Sequence, residues 1–185
     1  MSDVPKANRG PSAAAGNRRA LIAAAREVFG AEGYAAPLNA VAKRAGVGQG
    51  SLYRHFPDRV ALAVAVFDEN IGELEVLAER PGSSLDDLLD LVIAQALVSK
   101  ALIELITADI GDPRVVPLGD RLQSVIATVV QREKSEGRIR SDVTVDDVAL
   151  AVSMLASALA RVPEERRPET ARRAWGLFHS AFAPR

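Results

Sequence analysis

Apolar residues recur along this chain at the three- and four-residue spacing of amphipathic helices, from about residue 17 to residue 182. Gly- and Pro-rich segments interrupt these stripes, and no stretch keeps the two-residue period of a strand. The pattern predicts an all-α fold of about nine helices, near 17–31, 38–45, 48–56, 58–78, 84–96, 97–108, 117–136, 144–161 and 168–182.

Several helix starts are predicted from single residues. Asn17 and Asp58 each precede an apolar stripe and carry side chains that cap helix N-termini well. Ser84–Asp87 and Thr144–Asp147 have the spacing of capping boxes, with Asp in place of the usual Glu. Residues 1–16 lack periodicity and are rich in Pro, Gly and small residues, so we predict a disordered arm there.

Two short helices around a tight turn form the most informative stretch. Leu38, Val41, Ala42 and Ala45 lie at i, i+3, i+4 and i+7, which places them on one apolar face. Gly46 follows at once and supplies a residue that tolerates a positive φ angle. Leu52 and Phe56 are then apolar at i, i+4 in the second helix. This spacing predicts a helix-turn-helix.

Residues 36–59 resemble the DNA-binding signature of the TetR family of one-component repressors. The clearest match is Ala45-Gly46-Val47, followed by the run Ser51-Leu52-Tyr53-Arg54-His55-Phe56. The resemblance implies a three-helix DNA-binding unit, followed by helices that enclose a small-molecule pocket and form a homodimer. One departure is Pro37, since the family often carries a hydroxyl residue as a cap in this neighbourhood.

The charges are distributed unevenly along the 185 residues. Residues 1–57 contain eight Lys and Arg against three Asp and Glu, whereas residues 58–185 contain fifteen against twenty-one. The net charge of −1 hides this asymmetry. A basic N-terminal third on an acidic remainder is typical of a nucleic-acid reader with a separate domain that does not contact DNA.

The second helix of the motif is predicted to enter the major groove of double-stranded DNA. Gln49 is the predicted base reader because its amide can bond adenine at two points. The resemblance implies that Ser51, Tyr53 and His55 touch phosphates or a thymine methyl. Together with basic neighbours and two glycines that let the backbone approach the duplex, the predicted DNA-binding residues are Lys43, Arg44, Gly48, Gln49, Gly50, Ser51, Tyr53, Arg54, His55 and Arg59.

Beyond this motif the chain lacks the residue patterns of an enzyme. It has two His, no Cys and no Gly-rich phosphate loop, so we predict no enzymatic activity, no cofactor and no metal site. Asp86, Asp87 and Asp90 cluster at a helix start, where acids favour the macrodipole. His179 lies four residues after Trp175, and we interpret it as a packed or interface residue.

The resemblance divides the chain into the arm 1–16, a DNA-binding domain 17–62 and a ligand-binding and dimerisation domain 63–185. Helix 58–78 should contact both domains. The last two helices look too apolar for one chain to cover, which predicts a homodimer through them. An effector pocket is predicted from Phe67 and from seven polar residues that lie close to apolar ones. The candidates are Phe67, Asn70, Gln95, Ser99, Glu104, Thr107, Gln123 and Thr128.

The leading hypothesis is a cytoplasmic regulator, a homodimer that binds a palindromic operator and is released by an unknown small-molecule effector. No apolar leader and no run of 18 apolar residues is present, so we expect no membrane association. The alternative is a constitutive DNA-binding or architectural protein whose C-terminal domain only dimerises. A small-molecule-modifying enzyme is the third hypothesis, and the lack of catalytic residues argues against it.

Overall fold

The computed structural model describes residues 11–33, 35–98 and 112–184, and every regular element in these ranges is helical. A single 3₁₀ turn, Glu164–Arg166, precedes the last helix. The described part contains eight α-helices: α1 Pro11–Glu32, α2 Leu38–Arg44, α3 Gln49–His55, α4 Arg59–Glu79, α5 Leu85–Val98, α6 Val116–Ser135, α7 Val145–Ala160 and α8 Arg167–Phe182. The predicted all-α class is confirmed, and the predicted helix 97–108 lies mostly outside the described residues.

The first helix starts earlier than the sequence pattern indicated. α1 already includes Pro11, where the described residues begin, so the predicted N-cap at Asn17 was wrong and residues 11–16 are helical. Three consecutive alanines follow at 13–15 and propagate the helix well. Apolar periodicity did not indicate this turn because residues 11–16 contain no large apolar side chain.

Two separate apolar cores share the long helix α4, one at its N-terminal part and one at its C-terminal end. The N-terminal core is built from α1 to α4 and includes Leu118 from the start of α6. The C-terminal core combines the end of α4 with α5 to α8. Along α4 the change of core falls between Ile71 and Leu74. The expectation that α4 contacts both parts is confirmed, but Phe67 and Ile71 belong to the N-terminal core rather than to the second one.

Three Asp side chains cap helix N-termini as the sequence predicted. Asp58 Oδ1 accepts the N–H of Ala61 at 2.7 Å. The Ser84–Asp87 and Thr144–Asp147 capping boxes are both formed, with the Asp carboxylates accepting the cap N–H groups at 2.8 Å. These hydrogen bonds favour the ionised form of each Asp carboxyl group. The pKa of Asp58 falls below its ordinary value mainly through the N–H of Ala61, and the pKa of Asp147 falls mainly through the hydroxyl of Thr144.

These lowered pKa values predict how stability depends on pH. A carboxyl group whose folded pKa lies below its unfolded value stabilises the fold above the unfolded pKa, and the effect is lost as pH falls through the folded pKa. We therefore expect the contribution of these caps to be constant above about pH 5 and to decline below about pH 4. Urea unfolding of Asp147→Asn across this range should show a flatter acid limb than the wild type. An identical acid limb would contradict the assignment.

None of the helices in the described ranges is both long enough and apolar enough to cross a membrane.

Candidate nucleic-acid interface

The turn between α2 and α3 is closed by backbone hydrogen bonds around Gly46. The N–H of Val47 donates to the carbonyl of Ala42 at 3.0 Å, and the N–H of Gly46 donates to Lys43 at 3.2 Å. This pair of bonds is the Schellman motif, which requires a left-handed residue after the helix. Gly46 supplies it with φ +65°. The turn that the sequence predicted is therefore formed by the residue that the sequence singled out.

Helix α3 is held by its apolar side and leaves its other side free. Leu52 and Phe56 are 1% and 2% exposed and lie in the N-terminal core. Arg18 of α1 places its guanidinium 5.5 Å from the centre of the Phe56 ring. A seven-residue helix is too short to be stable alone, so these contacts determine its direction.

The solvent side of α3 carries the residues expected to read DNA. Gln49, Tyr53 and Arg54 are exposed, and Gly48 and Gly50 at the start of the helix are exposed as well. Lys43 is exposed at the end of α2. No Asp or Glu occurs between Glu32 and Asp58. The helix-turn-helix therefore contributes an amide, a phenol and cations and no acid of its own, which suits contact with phosphates and base edges.

Two of the predicted DNA-binding side chains, Arg44 and Arg59, already have partners within the protein. Arg44 forms an exposed ion pair with Glu27 of α1. The guanidinium of Arg59 donates to the carbonyl of Ala36 at 2.5 Å and lies 5.8 Å from the ring centre of Phe29. A phosphate contact by Arg59 would require that this bond break, because its guanidinium faces the N-terminal core.

Ser51 and His55 are also turned partly inward. The hydroxyl oxygen of Ser51 is buried and has no hydrogen-bond partner among the described residues. His55 is half-buried, with its ring centre 6.3 Å from that of Phe56. The Ser51 hydroxyl is therefore not placed for a phosphate in this conformation. The helical period alone did not separate these positions from the exposed ones.

Arg18 is a cation of this surface that the sequence interpretation missed. It is exposed on α1 and stacks beside the C-terminal end of α3 through the Phe56 ring. The pair Arg18-Arg19 within the basic N-terminal third was the available signal.

The predicted effector-pocket residues are only partly brought together. Phe67 and Asn70 are buried on α4, and the amide of Gln95 donates to the Asn70 carbonyl at 3.0 Å. Gln123 and Thr128 are both exposed on α6, and their assignment to a pocket stays a prediction. Their side chains bond Asp146 and the carbonyl of Ser124. The other three candidates, Ser99, Glu104 and Thr107, lie outside the described residues.

An open groove of about 810 Å³ runs between α4 and α5. Its floor is apolar at Val76, Leu77 and Leu91, and its rim is mostly acidic. The described lining includes none of the predicted pocket residues.

The last two helices expose apolar side chains. Leu150 and Met154 of α7 and Leu177 of α8 are each more than half exposed. α8 also contacts α5 through Asp86. The Oδ1 atom of Asp86 accepts the indole N–H of Trp175 at 2.7 Å and lies 3.3 Å from Nδ1 of His179. His179 is thus an exposed side chain of α8 that contacts Asp86 of α5.

Residues 21–66, which include α2, α3 and most of α1, match the family of bacterial regulatory proteins described as the tetR family. The A-factor receptor protein of Streptomyces griseus is 38% identical over 73 residues. That match covers 39% of this chain and 26% of the receptor.

Solved structures extend the similarity over almost the whole chain. The TetR transcriptional regulator SCO0520 from Streptomyces coelicolor is 28% identical, with a TM-score of 0.66 over 90% of this chain and 98% of that protein. CprB from the same organism, solved with its biological operator sequence, is 24% identical with a TM-score of 0.64 over 92% and 90%. The chain therefore carries a TetR-family DNA-binding domain at residues 21–66, within an all-helical fold of the TetR type.

Proposed function

We propose that the protein is a homodimeric transcriptional repressor that binds a palindromic operator and leaves it when a small molecule binds the C-terminal helices. The observation that carries the proposal is the exposed face of α3, which has Gln49, Tyr53 and Arg54 on a buried Leu52–Phe56 anchor and no Asp or Glu within α2, α3 or the turn between them. A short helix supported in this way presents its N-terminal turn to a groove. CprB, which shares the fold, has been solved on its operator.

A dimer is proposed from the apolar surface of α7 and α8. Leu150, Met154 and Leu177 would be covered by the same helices of a second copy. A two-fold dimer places one α3 on each half of an operator, so half-sites would be related by the same symmetry.

Release from DNA by a ligand is proposed from the fold and from the position of two polar residues between α4 and α5. The buried Asn70 and the half-buried Gln95 lie between α4 and α5, where a ligand could alter the position of α4. The alternative is a DNA-binding protein that responds to no ligand. It is favoured by the exposure of Gln123 and Thr128, two of the residues expected to line a pocket. A ligand that binds both arrangements equally would shift nothing, so release needs unequal affinity.

The primary test is a gel-shift series on DNA flanking the protein's own gene. The expected result is one retarded band that is competed by unlabelled operator and not by random DNA. A γ-butyrolactone is a suitable first ligand, because a γ-butyrolactone receptor shares the fold. Binding that no ligand in a broad panel alters would support the constitutive alternative, and binding to no DNA would contradict the proposal.

Gln49→Ala is expected to change sequence preference rather than general affinity. Losing a bidentate amide–adenine contact should cost about 1–3 kcal/mol at one operator position and equalise the four bases there. The measurement is a set of operators that differ by single base pairs, titrated with both proteins. Equal weakening on every operator would show that Gln49 does not read a base.

Lys43→Ala should weaken binding to operator and to random DNA alike. Each phosphate contact that is lost reduces the slope of log affinity against log salt by about 1 unit. Arg161→Ala is the matched control, since Arg161 is an exposed cation between α7 and α8. Equal slopes for the two variants would place Lys43 away from the duplex.

A further inference from the structure

The turn just before α6 binds the start of α4. Arg114 donates through Nη1 to both carboxylate oxygens of Asp58, at 3.0 and 2.9 Å. Its Nε and Nη2 donate to Asp112 at 3.0 and 2.8 Å. One guanidinium thus joins two carboxylates that lie 54 positions apart in sequence. We call Asp58, Asp112 and Arg114 the clasp.

Asp58 is the residue through which the clasp reaches the recognition helix. It follows Pro57 directly, and Phe56 before it is the last core anchor of α3. The Asp58 carboxylate also caps α4 through the N–H of Ala61. The same carboxylate therefore fixes the end of the α3–α4 connection and receives the guanidinium from the C-terminal part of the chain.

An apolar contact lies beside the clasp. Leu118, in the first turn of α6, is buried in the N-terminal core with residues of α1 and α4. The other buried apolar residues of α6 belong to the C-terminal core. Among the described residues of the C-terminal part, those at 112–118 contact the DNA-binding unit by both charge and packing.

We propose that Arg114 is a positioning residue for operator binding: by holding Asp58 it fixes α3 against the core, and it makes residues 112–118 the point where the C-terminal helices act on the DNA-binding unit. This inference rests on the proposed function for its link to DNA. The part of the inference that concerns the ordering of α3 rests only on the contacts of Arg114 with Asp58.

Arg121 provides a matched comparison. It also extends from α6 to α4, with Nε on Glu75 at 2.7 Å and Nη1 on Asp68 at 2.5 Å. It is half-exposed like Arg114, but its partners lie far along α4 from α3. Arg121→Ala removes the same kind of interhelical contact without touching the end of α3.

The first experiment measures operator affinity against salt for the full-length protein. Arg114→Ala should lower affinity about two- to fivefold, the range expected when a partly exposed ion pair is lost, with an unchanged salt slope. Arg121→Ala should leave affinity within about 1.5-fold of the wild type. Arg114→Lys should recover part of the loss, because lysine keeps the charge but not the two-point geometry.

A double-mutant cycle tests whether Arg114 acts through Asp58. Asp58→Asn keeps a good N-cap while removing the charge that Arg114 holds. If the clasp operates, Arg114→Ala should have little further effect in the Asp58→Asn background. Fully additive losses would overturn the proposal, as would a salt slope that falls by about 1 unit in Arg114→Ala, which would make Arg114 a phosphate contact.

Hydrogen exchange provides a measurement that needs no DNA. Amides of α3 should exchange several-fold faster in Arg114→Ala than in the wild type and in Arg121→Ala, because local opening follows local stability. Equal exchange in all three proteins would overturn the proposal. If α3 exchanges faster in Arg114→Ala but the wild type binds no DNA, the role of Arg114 in ordering α3 is supported and the proposed function is refuted. Failure of this inference is therefore distinguishable from failure of the proposed function.

Discussion

Leu177→Glu should produce a folded monomer that binds operator at least about 100-fold more weakly than the wild type, since joining two binding units raises affinity by about 10²–10⁴. Leu177 is 69% exposed on α8, and Leu150 and Met154 of the neighbouring helix α7 are exposed as well. An exposed glutamate costs a monomer little. At a two-fold interface, however, each copy would bury a charge in an apolar contact, and such a burial is strongly unfavourable.

Val76→Glu is the control for this prediction. Val76 is 56% exposed on α4, so the same apolar-to-acid change is made outside α7 and α8. Analytical ultracentrifugation should show a monomer for Leu177→Glu and a dimer for Val76→Glu, with helical content unchanged in both. A dimeric Leu177→Glu variant would refute the proposed interface.

The features that were predicted correctly depend on interactions within a few residues. Gly46 turned out to occupy the left-handed position because a short apolar stripe ends beside it. The capping boxes at 84–87 and 144–147 formed because the cap and its partner are three residues apart. Such contacts require no knowledge of the fold. Helix spacing likewise identified the Leu52–Phe56 anchor, since burial follows the period of the helix.

The features that were missed depend on residues far apart in sequence. Arg59 was assigned to a phosphate, but the carbonyl of Ala36 and the ring of Phe29 lie within its reach once α1 and α4 are packed. Gln123 and Thr128 were assigned to a pocket because apolar residues adjoin them, whereas the fold directs both outward. The Arg114–Asp58 pair has no local signature at all, since its members are 56 positions apart.

Leu52→Ala should abolish operator binding by releasing α3 from its core. Leu52 is fully buried and is the central apolar contact of a seven-residue helix. Buried Leu→Ala changes typically cost about 2–5 kcal/mol, and a helix this short has little intrinsic stability to offset the loss. The loss should fall on the N-terminal core, so unfolding monitored by hydrogen exchange should occur first in α2 and α3.

Leu88→Ala separates this local effect from a general loss of stability. Leu88 is equally buried, but it lies on α5 in the C-terminal core, away from the helix-turn-helix. The two variants should lower the free energy of unfolding by similar amounts. At a temperature where both remain mostly folded, Leu88→Ala should still retard operator DNA while Leu52→Ala should not. If the two bind operator equally well, the Leu52 anchor does not control the direction of α3, and the exposed face of that helix is not the DNA-binding surface.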